Sequence, residues 1–480
     1  MKPSAFNVRV PLASGEVFLM NTLTDAQAVV SDDVVELLDR LDAGAADPAA
    51  VSPADEHALK ALAENGFLVR HDSSERAALE SYFAAFRDDP SQLRVTILTT
   101  LQCNFACDYC YQGERAGAGL TADRMSIDTA AQVAAWIASR VEEVQPRQLV
   151  LTFFGGEPLL NVPAMFEIAG RLSKHSASRG VAQSVNIITN GLLLTPAIVE
   201  TMLPLGLTGV KVTLDGDRDT HDRMRPLRGG QGTFDRIIEN VRRVAPLVPI
   251  TIGGNFDADT ADRYPALLDF LKEQEFAARI NKVAFKPVIR PAAAEVPAGV
   301  IPLQPVDSNS RPLGGGCMTA AGPSTGRTAK SGCSPCDSCN LADDQMSYLR
   351  EETQRRGFPA PDGVHMGPCE IFRRHSHTIG PDGSLYACPG FTGEYAMSVG
   401  HIDGRCEPDH AAAARRLEHL APWRHCGDCP FIPVCGGGCA VAAHAELGDM
   451  DAPSCHKRSF EAALTSLAAE AAGQQAGGVQ

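Results

Sequence analysis

The 480-residue chain has little positive charge: 43 Lys and Arg against 58 Asp and Glu leave a formal charge of −15. A broad nucleic-acid footprint needs a basic face, so that function class is excluded. Long apolar runs are missing as well. None reaches the roughly 18 residues of a membrane-spanning helix. Residues 1–12 carry no sustained apolar core and no small-residue cleavage site, so no signal peptide is expected. An even-numbered disulfide framework is also absent. The 15 cysteines are odd in number, cluster in two regions and stand at spacings short enough to clamp metal, which favours a reducing compartment over secretion. A cytoplasmic location is expected. The 44% apolar and 21% charged content is that of a globular protein, and the length implies roughly three domains.

Four segments are expected. Residues 1–85 read as a small α+β module, with strands near Asn7–Val10, Glu16–Thr22, Gln27–Ser31 and Gly66–Arg70 and helices over Asp32–Leu41 and Pro53–Asn65. Residues 90–290 alternate strand and helix. Strands are predicted at Leu93–Thr100, Gln148–Phe154, Ser184–Thr189, Gly209–Leu214, Pro249–Asn255 and Lys282–Val288, with helices between them. Alternation implies a parallel sheet with helices outside it, and six units predict a partial (β/α)6 barrel of the α/β class, with active residues at the strand C-termini. Residues 291–364 are rich in Pro, Gly and Cys and read as a linker or insertion. The cysteines of residues 365–470 form a second metal region.

Cys103, Cys107 and Cys110 follow the first barrel strand, on the loop at its C-terminal end. Three thiolates leave one iron of a [4Fe–4S] cluster without a protein ligand. A zinc knuckle or a disulfide loop is the competing reading of the spacing alone. The three-then-two spacing, with aromatic Tyr109 before the last cysteine, resembles the radical S-adenosylmethionine (SAM) superfamily. That resemblance implies a cluster whose open iron binds SAM and cleaves it to a 5′-deoxyadenosyl radical, making the three cysteines catalytic.

Further motifs carry the same resemblance. Gly155, Gly156 and Glu157, before Pro158, look like the family's "GGEP" turn, which holds the methionyl amine of SAM; a tight βα turn is the plain structural reading. Tyr109 matches the position that contacts the adenine. Thr213, at the end of the fourth strand, stands where a serine touches SAM, and Arg225 matches an arginine on the SAM carboxylate. Asn190 tips the third strand, either as a ribose contact or as a turn residue.

The C-terminal spacing resembles the SPASM domain, a twin-cluster extension of radical SAM enzymes that act on peptides and proteins. By that resemblance Cys426, Cys429, Cys435 and Cys455 hold one [4Fe–4S] cluster, and Cys369, Cys388 and Cys439 hold the other. Its fourth ligand is missing from the expected place, where His375 stands. The histidine, another cysteine or an open iron are the alternatives; Cys406, Cys317 and the Cys333, Cys336 and Cys339 trio are the candidate cysteines, and a metal of its own is a second reading of the trio. Sulfatase maturases place a catalytic aspartate after the second SPASM cysteine. Pro389 follows Cys388 here and cannot take a proton.

The expected function is therefore a radical SAM/SPASM peptide maturase, forming a thioether or carbon–carbon cross-link in a ribosomally made peptide. The first module resembles a leader-peptide recognition element in its order of elements. The expected cofactors are SAM and three [4Fe–4S] clusters. The expected partners are a peptide or protein substrate and an external electron donor of flavodoxin or ferredoxin type, with no nucleic acid and no membrane. A sulfatase-type formylglycine maturase is the rival enzyme, and an electron-transfer or scaffold protein the rival of another class. The "GGEP" turn argues against the last.

Overall fold

A computed structural model describes residues 1–43, 53–70, 72–110, 123–289, 337–364 and 367–477. Cys317, Cys333 and Cys336 lie outside them. Cys339 falls within a helix, but its side chain is not described.

The chain opens with β1 (Lys2–Pro3) and a three-stranded antiparallel sheet of β2 (Asn7–Pro11), β3 (Val17–Asn21) and β4 (Ala26–Val30), with β3 central. Helices α1 (Asp32–Asp42) and α2 (Pro53–Glu64) follow, then β5 (Leu68–Val69), which pairs with β1. Helix α3 (Asp72–Asp88) was not foreseen. It is tied to the N-terminus through Glu75, which accepts from the Ser4 hydroxyl and from the Ala5 backbone N–H at 3.0 Å.

Six parallel strands come next: β6 (Gln92–Leu98), β7 (Gln148–Phe154), β8 (Ala182–Thr189), β9 (Leu207–Thr213), β10 (Ile250–Phe256) and β11 (Ile280–Pro287). The connecting helices are α4 (Ile127–Val144), α5 (Val162–Arg179), α6 (Pro196–Met202), α7 (Arg218–Met224), α8 (Phe234–Val244) and α9 (Tyr264–Lys272). Local chemistry starts two of them: the Ser126 hydroxyl caps α4 on the Thr129 N–H at 3.0 Å, and Asp217 caps α7, a helix the sequence reading did not include, on Thr220 at 3.0 Å. Leu151, Ile187, Val210, Val212 and Ile252 are fully or almost fully buried under these helices. The alternate residues, among them Thr152, Asn186, Lys211 and Thr251, point into the concave face.

The stretch rich in Pro and Gly gives way to α10 (Asp337–Arg355). The chain beyond α10 covers the last barrel strand, where the Val283 N–H donates to the Pro359 carbonyl at 2.8 Å. Three further strands, β12 (Ser376–Ile379), β13 (Ser384–Tyr386) and β14 (Gly400–His401), extend the same sheet on its other side. The nine-strand order is β11-β10-β9-β8-β7-β6-β12-β13-β14, with β12 parallel to β6. Helices α11 (Pro408–Glu418), α12 (Ile432–Cys435), α13 (Ala440–Leu447) and α14 (Lys457–Gly477) complete the chain. The two ends share cores: Phe18 and Met20 of β3 pack with Phe431, Ala463 and Leu464, and Phe6 and Leu79 pack with Trp423.

Candidate active site

The loop after β6 carries Cys103, Cys107 and Cys110, all half-buried. Backbone bonds fix it from two sides. Gly156 N–H donates to Thr100 O at 3.0 Å and Glu157 N–H to Gln102 O at 2.9 Å, while Ala106 N–H donates to Pro226 O at 2.9 Å. The glycines are needed for this approach. A Cβ at Gly155 (φ +138°) would lie 2.2 Å from Thr100 O, and one at Gly156 would lie 2.3 Å from Gln102 O. The sequence reading gave the glycines to a ligand; here they admit the backbone of the cysteine loop.

Glu157 is fully buried. One carboxylate oxygen accepts from Leu159 N–H at 3.0 Å and the Thr189 hydroxyl at 2.7 Å, and the other from Asn190 N–H at 2.8 Å. Burial nevertheless pushes its pKa above the usual carboxylate range. A fully buried carboxylate with lone pairs to spare is stabilised in its charged form by a nearby cation. The Asn190 amide donates to Asn104 Oδ1 at 2.8 Å and reaches Cys103 Sγ at 3.8 Å, and its oxygen accepts from Leu192 N–H at 3.0 Å. It thus ties the third strand end to the cysteine loop.

Tyr109 points into the barrel mouth. Its hydroxyl donates to Asp215 and accepts from Arg225 Nη1 at 2.5 Å and from the Asn255 amide at 3.3 Å. Arg225 and Asp215 are 3.5 Å apart. Burial raises the pKa of both the Tyr109 phenol and the Asp215 carboxyl, while Arg225 opposes each shift. Burial works against the Arg225 charge, yet Tyr109, Asp215 and Cys107 around it hold its pKa well above the usual arginine range. Behind them His221, fully buried, accepts from Asp215 N–H through Nδ1 at 3.1 Å. Its Nε2 lies 3.1 Å from the Thr233 hydroxyl, which donates to the Arg225 carbonyl at 2.9 Å. Burial, with Arg225 nearby, keeps this imidazole neutral. Thr213 lies half-buried on β9 opposite Gly253.

The sequence analysis passed over Asp215, His221 and Asn255. The signal for Asp215 was at hand, two residues beyond Thr213 at the same strand end. His221 sat in the run leading to Arg225. Asn255 carried no pattern of its own.

Among the described C-terminal cysteines, thiols act on one another in two neighbourhoods. Cys369, Cys388 and Cys439 lie near one another: burial first, then the Cys369 and Cys439 thiols, push Cys388 to about 12. Cys426, Cys429 and Cys455 act likewise on Cys435, which burial also takes to about 12. The pKa of the His375 imidazole is lowered by burial, Arg140 and Arg374, with Asp88 and Glu143 opposing, and its backbone carbonyl accepts from Arg94 N–H at the start of β6. This histidine sits at the opposite end of the sheet from the cysteine loop. Cys406 is exposed beside Glu407. None of the described cysteines forms a disulfide.

Residues 97–270 match the family model for the radical SAM superfamily. The central domain belongs to that superfamily. The AdoMet-dependent heme synthase of Methanosarcina barkeri is 32% identical over 143 residues, 30% of this chain and 36% of that protein. A serine-type anaerobic sulfatase-maturating enzyme of Klebsiella aerogenes is 23% identical over 364 residues, 72% of this chain and 78% of that protein. The solved structure of native anSMEcpe with bound AdoMet and Cp18Cys peptide superposes with a TM-score of 0.55 at 15% identity, covering 78% of this chain and 98% of that one. The chain spans 33% to 39% of the length of three of the curated relatives it matches, the heme synthase among them.

A radical SAM domain takes SAM and a [4Fe–4S] cluster, and the residues present fit both. Burial raises the pKa of Cys103, and that of Cys107 to about 12, so thiolates here require bound positive charge such as iron. Arg225 Nε is buried with no partner, a donor that a carboxylate would satisfy, and Glu157 suits an ammonium.

Proposed function

We propose that the chain is a radical SAM/SPASM maturase that oxidatively cross-links a ribosomally made peptide, forming a thioether or carbon–carbon bond. The observation that carries this is the grouping of the C-terminal cysteines into two neighbourhoods, in a region whose strands β12, β13 and β14 extend the radical SAM sheet. Bound SAM and its cluster supply a primary carbon radical able to take hydrogen from an unactivated C–H bond. The chain's own residues do the rest. Cys103, Cys107 and Cys110 hold the cluster. Glu157 meets the SAM ammonium and Arg225 its carboxylate, while Tyr109 and Asp215 fix the guanidinium and His221 holds the Asp215 backbone behind them. Gly155 and Gly156 seat the turn against the cysteine loop, with Asn190 and Thr213 lining the nucleoside side. Cys426, Cys429, Cys435 and Cys455, and separately Cys369, Cys388 and Cys439, would hold two auxiliary clusters to take up the second electron or hold a substrate sulfur, and an external donor of flavodoxin or ferredoxin type would supply the electron for SAM cleavage. A cytoplasmic location agrees with free thiols, and no helix among the described residues is long and apolar enough to cross a membrane.

Formylglycine formation is the second reading, favoured by the likeness to the Klebsiella protein across 72% of this chain. Against it stands the turn after Cys388. Pro389, Gly390 and Phe391 form a short 3-10 helix with no proton acceptor, and Phe391 is buried. Loss of a hydroxyl or thiol proton needs a base. The reconstituted protein should therefore leave a Cys-x-Pro-x-Arg sulfatase peptide unchanged while giving a two-dalton loss on the precursor encoded beside it. Efficient formylglycine formation would reverse the order of the two readings.

The cluster assignment has its own test. Replacing Cys103, Cys107 and Cys110 by alanine should abolish 5′-deoxyadenosine under dithionite and leave most auxiliary iron bound. Undiminished deoxyadenosine from the triple variant would sink it.

A further inference from the structure

The concave face of the barrel holds a charge the site above does not use. Below the strand ends, Thr152, Asn186, Ile188, Lys211, Thr251 and Asn281 line a cavity of about 470 Å³. Lys211 is its single charged lining residue, and no carboxylate faces it. Among the described residues its ammonium has neither hydrogen bond nor ion pair. The charged neighbours that act on it are Lys282 and Lys286, both exposed on β11. Lys211, Thr251 and Lys282 stand in one cross-strand row. Lys286 also lies near Cys369 and Cys388 and offsets thiolate charge there, whereas Lys211 and Lys282 have no such use.

The backbone makes room for this lysine. A Cβ at Gly253 would lie 2.3 Å from the Lys211 Cε, and Gly209 leaves a gap beside Asn186 on the neighbouring row. Lys211 lies two residues before Thr213 on the same face of β9, and its side chain runs up the strand to Gly253, the partner of Thr213, where a Cβ would lie 3.2 Å from its Nζ. A group held there would set its neighbour in a peptide at the reacting end.

We propose that this cavity is a carboxylate subsite in which Lys211, with Lys282 beside it, takes an acidic group of the peptide substrate. The inference rests on the peptide-maturase reading. Burial and the two neighbouring lysines lower the Lys211 pKa to about 8, so it is mostly charged at pH 7. An anion would relieve both the burial and the repulsion, and the Thr and Asn side chains supply neutral hydrogen-bonding groups around it.

The test uses the full-length reconstituted protein, immobilised, and randomised decapeptide pools. One pair of pools fixes a central Asp or Glu against Asn or Gln; the other pair compares a free C-terminal acid with its amide. The chain's charge of −15 repels acidic peptides in general, so enrichment reports a local site. The wild type should retain an acid pool about tenfold over its neutral counterpart, the scale of a hydrogen bond to a charged group. The pair that shows it tells a side-chain carboxylate from a C-terminal one. Lys211→Met should bring the ratio within about twofold, and Lys282→Gln, at an exposed position, should lower it about threefold even if the first variant fails to fold. Equal retention within both pairs, or a preference untouched in both variants, overturns the subsite and leaves the maturase reading standing. Failure of the wild type to retain any pool above a bare support overturns the peptide reading and this inference with it.

Discussion

At the scale of single residues, Lys211 carries a stability consequence. Its folded pKa of about 8 lies below the unfolded value of about 10.4. Below pH 8 the lysine is charged in both states, and burying that charge destabilises the fold. The penalty is relieved as pH rises from 8 toward 10.4, where the unfolded chain holds more protons. Lys211→Met should therefore be more stable than wild type at pH 7 by about 1–3 kcal/mol, and the gap should close near pH 10. Paired thermal melts check this, and a variant that melts lower at pH 7 would refute it. The cysteine spacings and the "GGEP" turn were legible because they are local in sequence. The partnership of Tyr109 with Asp215, Arg225 and Asn255 was not, since it joins residues up to 146 positions apart and no periodicity encodes such a meeting.

Among the elements, the turn at Gly155–Gly156 leaves no room for a side chain. Gly156→Ala would drive its new methyl against the Leu101 and Gln102 carbonyls. Iron should fall by about four per chain, with the auxiliary iron kept, as measured by iron assay after reconstitution. Unchanged iron with full SAM cleavage would mean that the loop has slack the close approach denies. Strand β4 offers a second test. Among the described residues no strand pairs with its outer side, so a leader peptide could add there. Amides of Ala26–Val30 should gain hydrogen-exchange protection when the neighbouring-gene precursor is added; unaltered exchange would leave the module a structural cap. The six barrel strands were readable because apolar runs alternate with 3.6-period helices, and their observed bounds differ from expectation by only a few residues. Helix α3 was missed because Ser73, Ser74 and Glu75 gave it a polar start with no apolar stripe before Leu79. Helix α10 was hidden by the composition just ahead of it.

For the whole molecule, reconstituted protein should carry on the order of twelve irons; a value near four would leave the SPASM cysteines to another metal. The extension of the barrel sheet by β12, β13 and β14 was beyond sequence reading, because parallel pairing of β12 with β6 joins segments some 280 residues apart. The shared cores at the chain ends bear on how this protein is born. Phe18 and Met20 find Ala463 and Leu464 only after nearly the whole chain has left the ribosome. At a synthesis rate of about 5–20 residues per second, their apolar faces wait roughly twenty to ninety seconds uncovered. The nascent N-terminal module is thus a client for chaperones, and a transcript truncated before α14 yields a sticky fragment in place of a smaller working protein.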